Sequence, residues 1–243
     1  MFRIPSILPW LFPQLTWRIK TNEKELFLTF DDGPVPGPTE FVLDTLKKYN
    51  AKATFFCIGD NIQKHSAIFK RTVEEGHAIG NHTFNHIKGW GTSTEKYLAN
   101  VELCSVEISN QYSVIGNQLP VTDHRLPNTT YQPPLTSHHL PLLTNLFRPP
   151  YGRIRTKQIK ALKSEYRIIM WDVLTSDYSR SLSPEKCLAG SIKATRPGSI
   201  IVFHDSLKAE KNMTYALPRF LDHFSKLGYS FHSAYLEPQN LKS

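Results

Sequence analysis

Short apolar runs alternate with longer amphipathic stretches along most of the chain. The apolar runs are rich in β-branched and aromatic side chains, which is typical of buried strands, and the stretches between them repeat apolar residues at helical spacing. The pattern predicts strands at 26–30, 53–58, 77–80, 168–173, 199–203 and 229–235. It predicts helices at 39–49, 61–75, 94–111, 156–165, 184–195 and 215–227.

The strict alternation of strands and helices predicts βα units around a parallel sheet. The number of strands favours a barrel over a small doubly wound sheet, and 243 residues suit a single barrel domain. We therefore expect one α/β domain, a (β/α) barrel, over residues 24–236, followed by a polar tail at 237–243.

Residues 1–23 form an apolar extension ahead of the first predicted strand. Pro5, Pro9 and Pro13 interrupt it, it has no small-residue cleavage site, and it is too short to span a bilayer. We expect it to pack on the domain, with contact to a membrane surface as the alternative. No transmembrane segment is predicted, and without a clear cleavable signal we expect a protein of the cytoplasm or of the periphery of the cell envelope.

Residues 112–146 break the rhythm, because the apolar periodicity lapses there and five prolines occur. Structureless spans of this length are uncommon inside a compact domain and are usually functional or disordered. We expect a surface insertion, and a lid that contacts the substrate and a plain surface excursion are equally compatible with the pattern.

Composition narrows the class of protein only a little. Hydrophobic residues make up 40% of the chain and charged residues 21%, as in ordinary globular proteins. The net charge of +8 would suit an acidic partner, but the Lys and Arg residues are scattered and no nucleic-acid-binding signature is present. We interpret the charge as solvated surface, with an anionic polymer or envelope as the second interpretation, and expect a monomer that does not bind nucleic acid.

The three cysteines, Cys57, Cys104 and Cys187, are far apart in the sequence. Their odd number and the lack of Cys-x-x-Cys spacing indicate neither a disulfide framework nor a thiolate metal site. Any metal would therefore need nitrogen and oxygen ligands.

Five polar signatures follow strand-like runs, and the carboxyl ends of strands are where α/β barrels gather their reactive groups. They supply two histidines and a carboxylate that could bind a metal, a second carboxylate, an arginine and a separate histidine. This combination indicates a metal-assisted hydrolase. The signatures are TFDDGP at 29–34, NHTFNH at 81–86, RPPYG at 148–152, DVLTSD at 172–177 and FHD at 203–205.

The first two signatures could form a metal site. Asp31 and Asp32 point to opposite sides of an extended segment, so one could bind a metal while the other faces the water that the metal activates. His82 and His86 share one face if their segment turns helically. Two His and one carboxylate leave coordination positions open for water and substrate.

Each signature also has an ordinary structural interpretation. An Asp-Asp-Gly sequence is most often a turn, and a lone His pair is more often a surface or structural feature. RPPYG could be a stiff loop, Asp172 or Asp177 could cap a helix, and His204-Asp205 could be a satisfied histidine at a strand end. Five signatures in this order, all at strand ends, are hard to obtain by chance.

The ordered set resembles that of polysaccharide deacetylases with a NodB-homology domain, carbohydrate esterase family four, from about residue 24 to about residue 235. The resemblance implies a distorted (β/α) barrel and removal of acetyl groups from N-acetylglucosamine polymers or acetylated xylan. It also implies a divalent metal, zinc by default, with cobalt, nickel and manganese as alternatives.

The resemblance also implies a role for particular residues. The general base would be Asp31, and the metal ligands would be Asp32, His82 and His86. Arg148 would orient the base, and the backbone N–H of Tyr151 would help hold the oxyanion. The substrate and acetyl pocket would be lined by Pro150, Tyr178 and Val202. The general acid would be His204, tuned by Asp177.

An acid is also expected from the chemistry itself. An amine is a poor leaving group until it is protonated, and a histidine that a nearby carboxylate biases toward the imidazolium fits that task. His204 therefore suits the role on chemical grounds too.

Two departures from the family pattern bear on the substrate groove: Tyr178 stands where a Trp is usual, and the segment between the second and third signatures is longer than usual.

Among other classes, non-haem Fe(II) oxygenases are disfavoured by the alternating pattern, and Thr83 stands where an HExxH protease needs Glu. Two alternatives stay open: an intracellular hydrolase of a small cyclic amide, and a catalytically dead glycan-binding module.

Overall fold

The computed structural model describes residues 2–5, 7–118 and 145–235. Its strands form one parallel sheet in the order β5-β4-β3-β2-β1-β7-β6, and β8 pairs with the amino-terminal half of β1. The strands are β1 (Glu25–Asp31), β2 (Thr54–Cys57), β3 (Ala78–Asn81), β4 (Leu146–Phe147), β5 (Arg167–Ile168), β6 (Val173–Leu174), β7 (Ile200–His204) and β8 (Ser230–His232).

Helices cover one face of this sheet and follow most of its strands. Among the described residues no helix is long and apolar enough to cross a membrane. The helices are α1 (Ile7–Leu11), α2 (Pro38–Lys48), α3 (Gly59–Lys64), α4 (Ser66–Glu74), α5 (Thr94–Gln118), α6 (Thr156–Leu162), α7 (Pro184–Ala194) and α8 (Glu210–Lys226), with a short 3₁₀ turn at Pro150–Gly152.

The strand alternation explains the position of the core. Leu28 and Phe30 of β1 pack with Phe203 of β7 in the large cluster beneath the helices. Phe27 and Ile200 point the other way, into a smaller cluster inside the curled sheet. Both faces are apolar, as expected when a parallel sheet is buried on both sides. The prediction of an α/β barrel-type fold with a parallel sheet is confirmed.

The segment before β1 lies against the gap in the sheet between β5 and β6. Arg3 pairs with Val173, Thr16 pairs with Ile169, and Arg18 pairs with Ser199 through single bridges. In the same segment, Leu15 and Trp17 are buried in a cluster with residues of α5 and α6. The polar tail at 237–243 lies outside the described residues.

Several predicted boundaries are wrong for identifiable reasons. The predicted strand 168–173 is two short strands, because its first half pairs with β4 and its second half with β7. The predicted helix 61–75 is broken at His65, which has the non-helical angles φ −133° and ψ 46°. The predicted helix 215–227 begins earlier, at Glu210.

The predicted lapse of structure at 112–146 is wrong at both ends. Helix α5 runs on to Gln118, since Tyr112 and Ile115 continue the buried apolar face of Ile108. At the other end, β4 is a two-residue strand that sequence periodicity does not register. Residues 119–144 lie outside the described part of the chain.

Candidate active site

Residues of all five predicted signatures meet at the carboxyl ends of the strands, the fourth through Asp177, which contacts His204. Asp31 ends β1 and His204 ends β7, and the pairing of these two strands places them side by side. Asn81 ends β3 directly before His82, and Arg148 directly follows β4. Register and strand ends therefore bring these groups together, although the chain separates Asp31 from His204 by most of the barrel.

Asp32, His82 and His86 form a compact group of metal-ligand donors. One donor atom from each lies within 4.8 Å of the other two. The Asp32 carboxylate oxygen Oδ1 lies 3.2 Å from His86 Nε2 and 3.9 Å from His82 Nε2. Two imidazoles and one carboxylate at this separation match the donor set of an open divalent metal site.

Hydrogen bonding and burial prepare the two histidines as ligands. His82 Nδ1 lies 2.8 Å from the Arg148 carbonyl oxygen. Because a carbonyl can only accept, Nδ1 carries the proton and Nε2 keeps its lone pair toward Asp32. Burial lowers the pKa of His82 to about 4, and it also lowers the pKa of His86. Both rings are therefore neutral near pH 7.

The turn that joins the two histidines is not helical, so the conditional helical interpretation of their spacing is wrong. His86 and Thr83 both have positive φ, 54° and 63°. The Asn81 side chain accepts a hydrogen bond from the Thr83 N–H at 2.8 Å, and its amide donates to the Val101 carbonyl at 2.8 Å. A loop tied to α5 thus brings the rings to a centroid separation of 5.1 Å.

Asp31 forms a buried ion pair with Arg148. The guanidinium Nη1 donates to Asp31 Oδ1 at 2.7 Å, and both side chains are buried. Burial opposes the charged carboxylate, but Arg148, helped by His82 and His204, outweighs it and holds the pKa of Asp31 below its usual value. Asp31 is therefore a fixed, ionised proton acceptor.

The sheet itself positions Arg148. Its guanidinium donates to Thr29 Oγ1 at 2.7 Å, to the Ile169 carbonyl at 3.1 Å and to the Met170 carbonyl at 2.8 Å. It also lies over the Phe56 ring at 4.2 Å. Such a saturated arginine has little freedom to move, so its carboxylate partner is held in one orientation.

His204 and Asp177 form the second pair. Asp177 Oδ1 lies 2.8 Å from His204 Nδ1, and Asp177 Oδ2 accepts the His204 backbone N–H at 2.8 Å. Burial alone would lower the pKa of His204, but Asp177 outweighs burial and raises it to about 9. The ring is therefore cationic near pH 7 and can donate a proton from Nε2.

The chain is similar to known proteins over most of its length. A family model described as polysaccharide deacetylase matches residues 18–135. A peptidoglycan-N-acetylglucosamine deacetylase of Bacillus cereus is 32% identical over 220 residues, which cover 89% of this chain and 89% of that protein. The chain belongs to the polysaccharide deacetylase family. This confirms the resemblance drawn from the five signatures.

Other members of the family extend the comparison. A second Bacillus cereus protein of the same name is 34% identical over 186 residues, which cover 76% of this chain but only 57% of that longer protein. The crystal structure of a peptidoglycan N-acetylglucosamine deacetylase bound to 4-naphthalen-1-yl-N-oxidanyl-benzamide superposes with a TM-score of 0.76 at 26% identity, covering 95% of each chain. Fold and sequence thus agree on one family.

The remaining residues that the sequence assigns to the site lie around this cluster. Tyr151 has a positive φ of 60° and is exposed, and its ring centroid lies 4.6 Å from that of His86. Pro150 is buried beside it. Tyr178 meets the His204 ring edge-on at 4.9 Å. Val202 is buried two residues before His204 and shares its face of β7.

Sequence reasoning missed the role of Asp205. Its carboxylate is buried and accepts hydrogen bonds from the Gly33 N–H at 3.1 Å and the Thr39 hydroxyl at 2.6 Å. A Cβ on Gly33 would come within 2.0 Å of this carboxylate, so only glycine fits there. Asp205 therefore fixes the loop that carries Asp32. The available signal was its place beside His204 in the fifth signature.

Asp172, by contrast, lies at the other end of its strand. It accepts hydrogen bonds from Ser199 Oγ at 2.7 Å and from the Arg196 guanidinium at 3.2 Å, both in the segment that enters β7. The first residue of the fourth signature is thus a structural link rather than part of the reactive cluster.

Proposed function

We propose that this chain is a metal-dependent hydrolase that removes the N-acetyl group from N-acetylglucosamine units of a glycan such as peptidoglycan or a chitin-like polymer. The observation that carries the proposal is the meeting of one donor triad, Asp32, His82 and His86, with two separate proton-transfer groups, Asp31 and His204, at one end of the sheet. The similarity to two peptidoglycan-N-acetylglucosamine deacetylases supports the substrate class.

We assign Asp32, His82 and His86 to a divalent metal, zinc by default. The fit rests on neutral imidazoles with a free Nε2 and on a carboxylate within reach of both. A metal bound there acidifies a water molecule and polarises the acetyl carbonyl. Nitrogen and oxygen donors of this kind suit zinc and also cobalt, nickel or manganese.

Asp31 takes the proton from the attacking water. Its ionised state is secured by Arg148, and its orientation is fixed by the same contact at 2.7 Å. A base with a depressed pKa is weak but is always in its acceptor form near pH 7. Arg148 therefore acts through Asp31 as a positioning residue.

His204 donates a proton to the departing amine. The cationic ring is maintained by Asp177, whose two oxygens hold both the ring and the backbone of the same residue. The adjacent register positions of His204 and Asp31 keep both groups within one small site. One takes a proton while the other gives one, as amide hydrolysis requires.

Backbone and rim residues complete the assignment. The Tyr151 N–H makes no hydrogen bond among the described residues, so it is free to support the oxyanion. Pro150, Tyr178 and Val202 would border the acetyl group and the sugar. An inactive glycan-binding module is not favoured, because every reactive group is present and paired. A small cyclic amide is not favoured as the substrate, because the relatives are peptidoglycan-N-acetylglucosamine deacetylases.

The direct test is mass spectrometry of products from a panel of acetylated glycans. N-acetylglucosamine oligomers, peptidoglycan fragments, acetylated xylan and a cyclic amide would be incubated with metal-loaded protein, chelated protein and the Asp31→Asn variant. We expect that, of the three protein samples, only the metal-loaded protein removes acetyl groups from a GlcNAc substrate. Turnover of the cyclic amide alone, or of none of the four, would overturn the proposal.

A further inference from the structure

Helix α1 presents an apolar face that no described residue covers. Ile7, Trp10 and Leu11 are 57%, 76% and 51% exposed, and none of the five residues of α1 is buried. On the opposite side, Leu8 and Phe12 pack against the cluster around Trp17, which fixes the helix on the domain. An exposed tryptophan and two aliphatic side chains on adjoining turns form a patch of the kind that marks an interaction surface.

A basic cleft of about 770 Å³ adjoins this helix. Arg3 donates to the Ala194 carbonyl through Nε at 2.9 Å, and Arg18 donates to the Pro197 carbonyl through Nη2 at 2.6 Å. Carbonyl oxygens accept hydrogen bonds but do not neutralise charge, so both arginines keep theirs. The residues that line the cleft include Arg3, Pro9, Trp17, Arg18, Asp172 and Arg196.

The third arginine of the cleft, Arg196, is neutralised by Asp172. Arg3 and Arg18 form no ion pair with a described residue, so within the described part of the chain the cleft carries two positive charges without a carboxylate partner, next to the exposed side chains of α1. We call Ile7, Trp10, Leu11, Arg3 and Arg18 together the α1 face.

The α1 face lies at the end of the sheet away from the candidate active site. Arg3 and Arg18 contact Ala194 and Pro197, which lead into the amino-terminal end of β7. His204 lies at the carboxyl end of the same strand. A surface bound to the α1 face would therefore leave the reactive cluster facing away from that surface.

We propose that the α1 face docks on the surface of a bilayer that contains anionic phospholipids. Tryptophan favours the boundary between headgroups and acyl chains, and short apolar side chains beside it can enter the same layer. Arginines with free N–H groups bind phosphate and are attracted by a negatively charged leaflet. Apolar side chains alone would suit a second copy of the chain equally well, but two adjoining positive charges would repel their own copies.

The test is co-sedimentation of the full chain with vesicles, because it does not depend on deacetylase activity. Vesicles of phosphatidylcholine with phosphatidylglycerol would be compared with vesicles of phosphatidylcholine alone. We expect binding to the anionic vesicles only, weakened by added salt. Inorganic phosphate and sodium chloride, each added to the vesicle assay at the same ionic strength, should weaken binding to the same extent.

Matched variants distinguish binding through the α1 face from non-specific adsorption to the vesicles. Trp10→Ala should weaken vesicle binding roughly tenfold or more, whereas Trp90→Ala, which removes a 54% exposed tryptophan that donates to the Ile154 carbonyl, should not. Arg18→Ala should weaken binding about fivefold, whereas Arg180→Ala, which removes an exposed arginine three residues after Asp177, should have a smaller effect.

Because Trp10 is 76% exposed, Trp10→Ala should leave the fold intact, and unchanged thermal melting checks this. Equal binding of the Trp10→Ala variant and the unmodified protein, or no binding to anionic vesicles, would overturn the proposal. So would concentration-dependent dimerisation that Trp10→Ala abolishes, since the α1 face would then be an interface between copies.

Discussion

The histidines of the candidate active site occupy two opposite environments. His82 is buried with only a carbonyl oxygen on its Nδ1, and burial lowers its pKa to about 4. His204 is also largely buried, but a carboxylate holds its Nδ1, and the pKa rises to about 9. The same side chain is thus neutral in one place and cationic in the other near pH 7, and the partner of Nδ1 makes the difference.

The largest effect on activity is expected from a change at His82, the neutral histidine of the pair. His82→Ala removes one of three donors from an open site, so the variant should purify with little metal and lose nearly all activity. Elemental analysis checks this, with His232→Ala as a control that removes an exposed histidine elsewhere. A full equivalent of metal in the His82→Ala variant would place the metal site elsewhere.

The next effect concerns the base. Asp31→Asn keeps the shape of the side chain but removes proton acceptance, so hydrolysis of an N-acetyl sugar and of an aryl acetate should each slow by roughly 10²–10⁴-fold. Steady-state rates on the two substrates measure this. Metal content must be unchanged, because Asp32 is the adjacent residue; a loss confined to one substrate would argue against a role in activating water.

A smaller effect is expected from the partner of the acid. Asp177→Asn removes the charge that keeps His204 protonated, so the alkaline limb of the kcat profile for the N-acetyl substrate should move from near pH 9 to lower pH. The rate at neutral pH should fall by roughly 10²-fold at most. A pH profile that falls in amplitude without moving would make Asp177 a structural residue only.

The smallest effect is on stability, and it has opposite signs for the two environments. The folded pKa of His204, about 9, exceeds the unfolded value of about 6.5, so its contribution is full below about pH 6.5 and is lost as pH rises through 9. His82, with a folded pKa of about 4, loses its contribution as pH falls from about 6.5 through 4. Each is on the order of 3 kcal/mol at most.

Thermal melting of chelated protein between pH 4 and pH 10 measures these contributions. Asp205 adds a separate loss of stability as pH rises from about 3.8 through 7, because burial raises its pKa to about 7. The Asp177→Asn variant isolates the share of His204, because its melting temperature should depend less on pH between about 6.5 and 9. Identical slopes for the variant and the unmodified protein would contradict the coupling of His204 to Asp177.

Much of the fold and of the site could be predicted from sequence because local patterns encode them. The strands that carry Asp31 and His204 are continuous apolar runs, and their carboxyl ends are marked by polar residues. The order of the five signatures was specific enough to indicate a family, and the family then supplied roles that spacing alone left open, such as which of Asp31 and Asp32 binds metal.

The features that sequence could not predict depend on contacts between distant segments. Strand β4 has two residues, and only its pairing with β3 and β5 makes it a strand and places Arg148 beside Asp31. The turn between His82 and His86 needs positive φ angles held by Asn81. The role of Asp205 depends on its hydrogen bond with Gly33, which lies 172 positions away in the sequence.

The most direct test of the division between the two environments is the His204→Ala variant on two substrates. Hydrolysis of an N-acetyl sugar needs a protonated leaving amine, whereas an aryl acetate releases an aryloxide without help. With metal content shown to be unchanged, we predict a loss of roughly 10²–10⁴-fold on the amide and a far smaller loss on the aryl ester. Equal losses on both substrates would contradict the assignment of His204 as the general acid.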